Sequence, residues 1–137
     1  SVDGGRIVPP TWNKALKQDI LPEWTAAHGA LAQANHIRVI GYSLPDGDAY
    51  FRYLLKAGVP NSTHLKSFDV VCLDDASGSV EARYRSFVDF PYFQFRNGRT
   101  QDYLSELVTP DVNRDTNRNT SSVQFDRLEA AHSSFFA

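Results

Sequence analysis

A short β-branched run, a small polar turn and an apolar-rich helical stretch follow one another between residues 37 and 56. The run at 37–41 predicts a strand that ends at Gly41, and the stretch at 46–57 predicts a helix with Asp46 as its N-cap and Gly58 as its end. A strand that feeds a Gly/Ser turn at a helix start is the building unit of α/β proteins. Such a turn is also where these proteins commonly hold a nucleotide.

The rest of the chain continues the alternation of strand and helix. A nearly continuous apolar run at 68–73 predicts a strand buried on both faces of a parallel sheet. Apolar residues recur at helical spacing from Ile20 to Ala34. Further strands are predicted at 6–8 and 93–95, and further helices at 80–88 and from Thr100 onward. This order predicts an α/β fold with a short, mostly parallel sheet and right-handed connections.

The last part of the chain has a different composition. Residues 109–122 are rich in Asn, Asp, Thr, Ser and Arg and offer almost nothing to bury, which predicts a linker or a disordered arm. Beyond them, Phe125, Leu128, His132 and Phe135 fit either a short trailing helix or a contact with sequence that is missing here. We therefore expect a folded unit at 1–108 and a polar tail at 109–137.

Composition excludes several classes of function. The chain has 137 residues and a net charge of −2, so no basic field indicates binding to nucleic acid or to an anionic membrane. No apolar run approaches the roughly 20 residues that span a bilayer. The single cysteine, Cys72, excludes an internal disulfide and a multi-cysteine zinc site, and favours the cytoplasm. Because the chain lacks Met and begins Ser-Val-Asp-Gly-Gly, we expect a piece of a longer polypeptide.

Three polar positions follow the predicted strands and are candidates for ligand contacts. Gly41 lets a backbone approach a ligand closely, and the Ser43 hydroxyl can donate to a phosphate or ribose oxygen; the alternative is a plain turn in which Ser43 bonds the backbone. Asp74 ends the next strand, where an acidic residue can bond ribose hydroxyls. The alternative for Asp74 is a turn-forming role. With a second aspartate, Asp75, beside it, the sequence favours this role and the ribose contact equally.

The remaining reactive side chains predict neither a catalytic centre nor a metal site. No histidine has the neighbours of a metal ligand or a triad, so surface or capping roles are expected for all four, His28, His36, His64 and His132. Asp46 and Asp48 suit a helix N-terminus. Cys72 lies in mid-strand and is expected to be an inert buried thiol. Arg83 and Arg85 flank an apolar helix face and are expected to be solvated.

Two blocks of sequence together resemble one family. The first is Ile-Val-Pro-Pro-Thr-Trp-Asn-Lys at 7–14, followed by Trp24 and Ala27 on a helix; the second is Val-Ile-Gly-Tyr-Ser-Leu-Pro at 39–45, followed by Asp48. They resemble the C-terminal half of SIR2-like proteins, bacterial relatives of the sirtuins. The resemblance covers about residues 6–107.

The resemblance implies part of a three-layer, Rossmann-like NAD-binding domain. In sirtuins a Gly-Thr-Ser turn contacts the ribose and phosphates of NAD, and Gly41, Tyr42 and Ser43 are its equivalents here, with Tyr42 in place of Thr. In sirtuins a later strand ends in an asparagine that contacts the adenosine ribose, and Asp74 lies near the corresponding position, so the contact it implies is only similar in kind. The family consumes NAD by deacylation, ADP-ribosyl transfer or hydrolysis.

The family's Gly-Ala-Gly loop and its catalytic Asn and His belong to an N-terminal half that is absent here, and its zinc cysteines are also missing. We therefore expect the chain alone to be inactive and to need that half, with NAD or ADP-ribose as ligand and no metal. The alternative is a non-catalytic nucleotide-sensing or protein-interaction module with the same fold.

Overall fold

The computed structural model describes residues 21–60, 62–108 and 120–137. Their elements, in chain order, are α1 (Leu21–Gln33), β1 (His36–Ile40), α2 (Ala49–Gly58), β2 (Ser67–Cys72), α3 (Ser79–Arg85), β3 (Phe93–Asn97), α4 (Thr100–Val108) and α5 (Thr120–Phe136). The predicted α/β class with a short parallel sheet is confirmed. The strand predicted at 6–8 and the block at 7–14 lie outside the described residues.

The described strands form one open, three-stranded parallel sheet in the order β1-β2-β3. Ile37 pairs with Phe68, and Phe68 pairs with Phe93, so the three strands start at nearly the same level. β2 is central, and five of its six residues are buried. The prediction of a buried strand at this position is confirmed, because helices cover both of its faces.

One face of the sheet carries the apolar core. Alternate strand residues point to this face, where α2 and α3 cover them and α1 packs against α2. The core residues are Ile37, Val39, Leu44, Leu55, Val59, Phe68, Val70, Cys72, Val80, Tyr84, Val88 and Phe93. Each buried side chain of this size contributes roughly 1.5–3 kcal/mol of transfer free energy, so this face dominates the stability of the fold. Cys72 is buried as predicted, and burial raises the pKa of its thiol.

The opposite face of the sheet carries the buried polar side chains. Arg38 and Asp69 occupy neighbouring register positions on it, and α4 and α5 cover it. α5 is the trailing helix that was one of the two predictions for the end of the chain, and it is longer than predicted. The described part of α5 packs against α4 and reaches the sheet through Glu129 and His132. The unit thus has three layers, with helices on both sides of the sheet.

The start of α2 differs from the sequence prediction. The N-cap is Asp48 rather than Asp46, and its carboxylate accepts a hydrogen bond from the Phe51 backbone N–H at 3.2 Å. Asp46 instead forms an ion pair with Arg52. Aspartate suits a helix start at either position, but only Asp48 lies directly before the first helical residue, Ala49.

Candidate functional site

The carboxyl ends of the three parallel strands meet at one edge of the sheet. β1 ends at Ile40, β2 at Cys72 and β3 at Asn97. The predicted ligand contacts at 41–43 and at Asp74 follow the first two of these strands, and α4 begins at Thr100, directly after the third. The fold therefore brings all the candidate residues to the edge at which open α/β sheets bind ligands.

Gly41 makes a turn in which any other residue would be strained. Its φ of +75° lies in the left-handed region, and its N–H donates to the Val71 carbonyl at 2.7 Å. A Cβ at this position would lie 2.5 Å from the Thr100 Oγ1 atom, closer than real Cβ atoms come to any neighbour. The absence of a side chain thus lets the first residue of α4 contact the turn.

The Tyr42 side chain has a structural role. Its hydroxyl donates to Asp48 Oδ2 at 2.6 Å, and its ring meets Phe51 edge-on at a centroid distance of 4.9 Å. Its carbonyl accepts the Tyr84 hydroxyl at 2.7 Å. Burial, followed by the hydrogen bond to Asp48, raises the pKa of the Tyr42 hydroxyl well above its ordinary value. Tyr42 therefore fixes the turn to α2 and α3.

The two polar groups of Ser43 differ in their contacts. Among the residues that the structure describes, no group forms a hydrogen bond to its Oγ atom, whereas its carbonyl accepts two hydrogen bonds from Arg83, at 3.1 and 3.3 Å. The prediction that Arg83 is solvated is therefore wrong, since the guanidinium spans from α3 to this turn. Leu44 follows with a φ of +52° and is fully buried, which anchors the turn to the core. The Ser43 hydroxyl remains available to a ligand.

The Asp74 carboxylate caps α3. Its oxygens accept hydrogen bonds from the backbone N–H groups of Val80 at 2.8 Å, Glu81 at 2.9 Å and Asp75 at 2.8 Å. Desolvation alone would raise the pKa of Asp74, but the three backbone hydrogen bonds together outweigh it and lower that pKa. This geometry is that of the turn-forming alternative. A carboxylate has about four acceptor positions, so one is left and the ribose contact stays a prediction.

A second polar cluster, which the sequence analysis missed, lies on the face covered by α5. His132 and Asp69 are only 5% and 4% exposed. His132 Nε2 contacts Asp69 Oδ2 at 2.8 Å, and its Nδ1 contacts the Tyr103 hydroxyl at 2.9 Å. The chain of hydrogen bonds continues from Asp69 to the Ser67 hydroxyl at 3.3 Å and from there to His36 Nδ1 at 2.9 Å.

The surface role predicted for His132 is therefore wrong. The signal that could have located this cluster is Asp69, a carboxylate in the middle of an otherwise apolar strand, which requires a buried partner. His28, His36 and His64 are exposed, as expected for surface residues. Since His36 and His132 lie on the α5 face, towards the amino ends of the strands, neither adjoins the Gly41 turn.

Within the described ranges, no cluster of three or more His, Cys, Asp or Glu side chains could hold a metal ion. In the same ranges, no helix is both long and apolar enough to cross a membrane.

Comparison with known proteins adds no family assignment. No protein-family model matches the chain, no curated protein matches it, and no solved structure matches it. The SIR2-like resemblance of residues 6–107 therefore stays a prediction from the sequence.

Proposed function

We propose that this chain forms the ribose- and phosphate-contacting side of an NAD site in a longer, SIR2-like protein that consumes NAD. NAD is a substrate in this proposal, cleaved by hydrolysis, deacylation or ADP-ribosyl transfer, and no metal is required. The proposal rests on the resemblance of the blocks at 7–14 and 39–45 and on the geometry of the Gly41 turn.

The observation that carries the proposal is the juxtaposition of a side-chain-free turn with two hydroxyl groups. Gly41 presents bare backbone beside the Thr100 hydroxyl, and Ser43 has a hydroxyl without a partner among the described residues. Hydroxyl groups donate to phosphate and ribose oxygens, and the N-terminus of α4 adds a favourable partial positive charge. The residues therefore fit the polar part of a dinucleotide.

Asp74 fits a ribose less well than Ser43 fits a phosphate. Three backbone N–H groups already bond its carboxylate, so a ribose hydroxyl would use the remaining acceptor position. Its lowered pKa keeps it ionised at neutral pH. An ionised Asp74 beside the adenosine ribose would repel the 2′-phosphate of NADP, so the proposal includes a preference for NAD.

Cleavage of NAD requires groups that this edge does not provide within the described ranges. Of the described histidines, His36 and His132 belong to the polar face under α5. The proposal therefore assigns the reacting groups to an N-terminal half of the domain and expects no turnover by this chain alone. The alternative is a nucleotide-sensing module, in which the same edge binds NAD without cleaving it.

The decisive experiment is NAD binding by the longer protein, measured by calorimetry. We expect Ser43→Ala to weaken binding about twofold to tenfold, the effect of one lost hydrogen bond of roughly 0.5–1.5 kcal/mol. Ser134→Ala, an exposed serine at the far end of α5, is the matched control and should leave the affinity unchanged. Equal affinities for wild-type protein and Ser43→Ala would remove Ser43 from the site.

Nicotinamide release distinguishes the two forms of the proposal. Release by the longer protein, together with none by this chain alone, supports the NAD-consuming enzyme. Tight NAD binding without release by the longer protein supports the sensing module. Absence of NAD binding by the longer protein refutes both.

A further inference from the structure

A cavity of about 580 Å³ lies at the other end of the sheet from the Gly41 turn. Its walls come from the amino-terminal parts of all three strands and from the last turns of α5. This volume falls within the range of small-molecule sites, roughly 300–1,000 Å³. Strands of five or six residues span about 15 Å, so the cavity is separate from the proposed NAD edge.

The two carboxylate side chains of the cavity, Asp69 and Glu129, are already paired. Asp69 bonds to His132 at 2.8 Å, and Glu129 bonds to Arg38 at 2.6 Å. The hydrogen bond from Arg38 is the main reason why the pKa of Glu129 lies below its ordinary value. Neither carboxylate therefore offers a strong free site to a cationic ligand.

One cationic donor of the cavity has no such partner among the described residues. Within the described chain, the Lys66 ammonium group forms no hydrogen bond or ion pair, whereas His36 Nδ1 contacts the Ser67 hydroxyl at 2.9 Å and that hydroxyl donates to Asp69 at 3.3 Å. The backbone N–H of Lys66 bonds to the Asn35 carbonyl at 2.6 Å, which holds the two strand starts together. The cavity thus has an unused cationic donor while its two carboxylate side chains are occupied, and this balance favours an anion.

Aromatic rings form another part of the cavity wall. Tyr92 is 66% exposed, although its ring packs edge-on against Phe90 on one side. Phe136, at the end of α5, also lines the cavity and is half-buried. A large exposed aromatic ring in a concave site provides a stacking surface for a flat ligand group.

We propose that this cavity binds a small molecule that combines an aromatic ring with an oxyanion, either phosphate or carboxylate. The oxyanion contacts the Lys66 ammonium group, and the ring lies against Tyr92 and Phe136. This site is additional to the NAD edge, and it stands or fails independently of the NAD proposal.

The test is an NMR titration of the whole chain with three probes of similar size. Phenyl phosphate and benzoate carry the two candidate oxyanions, and benzylamine carries a cation on the same ring. We expect at least one anionic probe, at millimolar concentration, to shift the backbone amide signals of His36, Ser67 and Tyr92. The stronger of the two identifies the preferred oxyanion, and benzylamine should shift none of these signals.

Charge-removing variants assign the contact. Lys66→Gln should weaken the binding of the anionic probe about tenfold, as expected for a lost charge-assisted hydrogen bond. Lys56→Gln removes the same charge from the exposed surface of α2, outside the cavity, and should leave binding unchanged. Both lysines are exposed, so neither variant should affect folding, which circular dichroism confirms.

Any one of the following results would overturn the inference. The first is the absence of shifts with both anionic probes. The second is binding of benzylamine as tight as that of the anions. The third is an unchanged affinity in Lys66→Gln, or shifts confined to Gly41 and Thr100 at the opposite edge of the sheet.

Discussion

The buried pair of Asp69 and His132 allows a test in which a second substitution should restore stability that the first one removes. His132→Leu removes the main hydrogen-bond partner of a carboxylate that is 4% exposed; among the described residues, its one remaining hydrogen bond then comes from the Ser67 hydroxyl, at 3.3 Å. Leaving a charge buried without its partner costs about 3–5 kcal/mol. Asp69→Val leaves the His132 Nε2–H without an acceptor, which costs about 1–3 kcal/mol.

The double variant should be more stable than His132→Leu alone. Val resembles Asp in shape and suits a strand, so Asp69→Val removes the stranded carboxylate without leaving a large cavity. The Tyr103 hydroxyl loses its partner in both His132→Leu backgrounds, so that loss cancels in the comparison. We expect the second substitution to restore about 1–3 kcal/mol of the free energy of unfolding, the usual cost of a buried polar group without its hydrogen-bond partner.

Urea unfolding at neutral pH measures these differences, followed by circular dichroism and by tryptophan fluorescence; coinciding transitions validate a two-state treatment. His64→Leu, an exposed histidine, is the control and should change stability by less than about 0.5 kcal/mol. Additive effects of the two substitutions, or a cost below about 1 kcal/mol for His132→Leu, would refute the reasoning that the buried Asp69 side chain depends on its hydrogen bond with His132.

Three further variants test other contacts. Gly41→Ala should lower the free energy of unfolding by about 1–3 kcal/mol, because the φ of Gly41 is +75° and the new Cβ would overlap the Thr100 hydroxyl group. Gly29→Ala, in an open position on α1, is the control and should be neutral or stabilising in the same urea experiment. Tyr42→Phe loses the hydrogen bond to the α2 cap and should cost about 1 kcal/mol, measured by thermal unfolding. The pKa of Glu129 is lowered by its hydrogen bond from Arg38, so the stabilisation is complete above the ordinary value of 4.5 and is lost as the pH falls through the lowered pKa. The stability difference between wild-type protein and Glu129→Gln, measured in urea, should therefore be largest at neutral pH and shrink in acid; a difference that is independent of pH would contradict this assignment.

The alternation of short apolar runs and helical periods was enough to predict the fold. The run at 68–73 predicts a buried central strand because a strand covered on both faces needs no alternation of polar residues. The end of β1 at Ile40, just before Gly41, follows from the β-branched run and the glycine. The N-cap of α2 was misplaced by two residues because Asp46 and Asp48 have the same capping chemistry, and only the backbone path decides between them.

The candidate site was predictable in position but not in the roles of its residues. Parallel strands bring Gly41, Ser43 and Asp74 to one edge, which the order of elements already required. That Asp74 caps α3 depends on the path of the loop between them, which local sequence does not determine. The burial of His132 depends on a contact with Asp69, 63 residues away, and helical periodicity on α5 carries no information about such a distant partner.

The two faces of the sheet are held by different forces, and this difference bears on both proposed sites. Apolar burial against α2 and α3 is strong but non-directional, so it stabilises the fold without fixing the detailed position of a helix. α5 is instead held at two points by directional contacts, from Glu129 to Arg38 and from His132 to Asp69. Removing either contact leaves a buried or half-buried charge without its partner, so a shift of α5 by even one turn is costly. Because the last turns of α5 form one wall of the cavity, the same two contacts define the shape of that cavity, whereas the Gly41 turn depends on α2, α3 and α4.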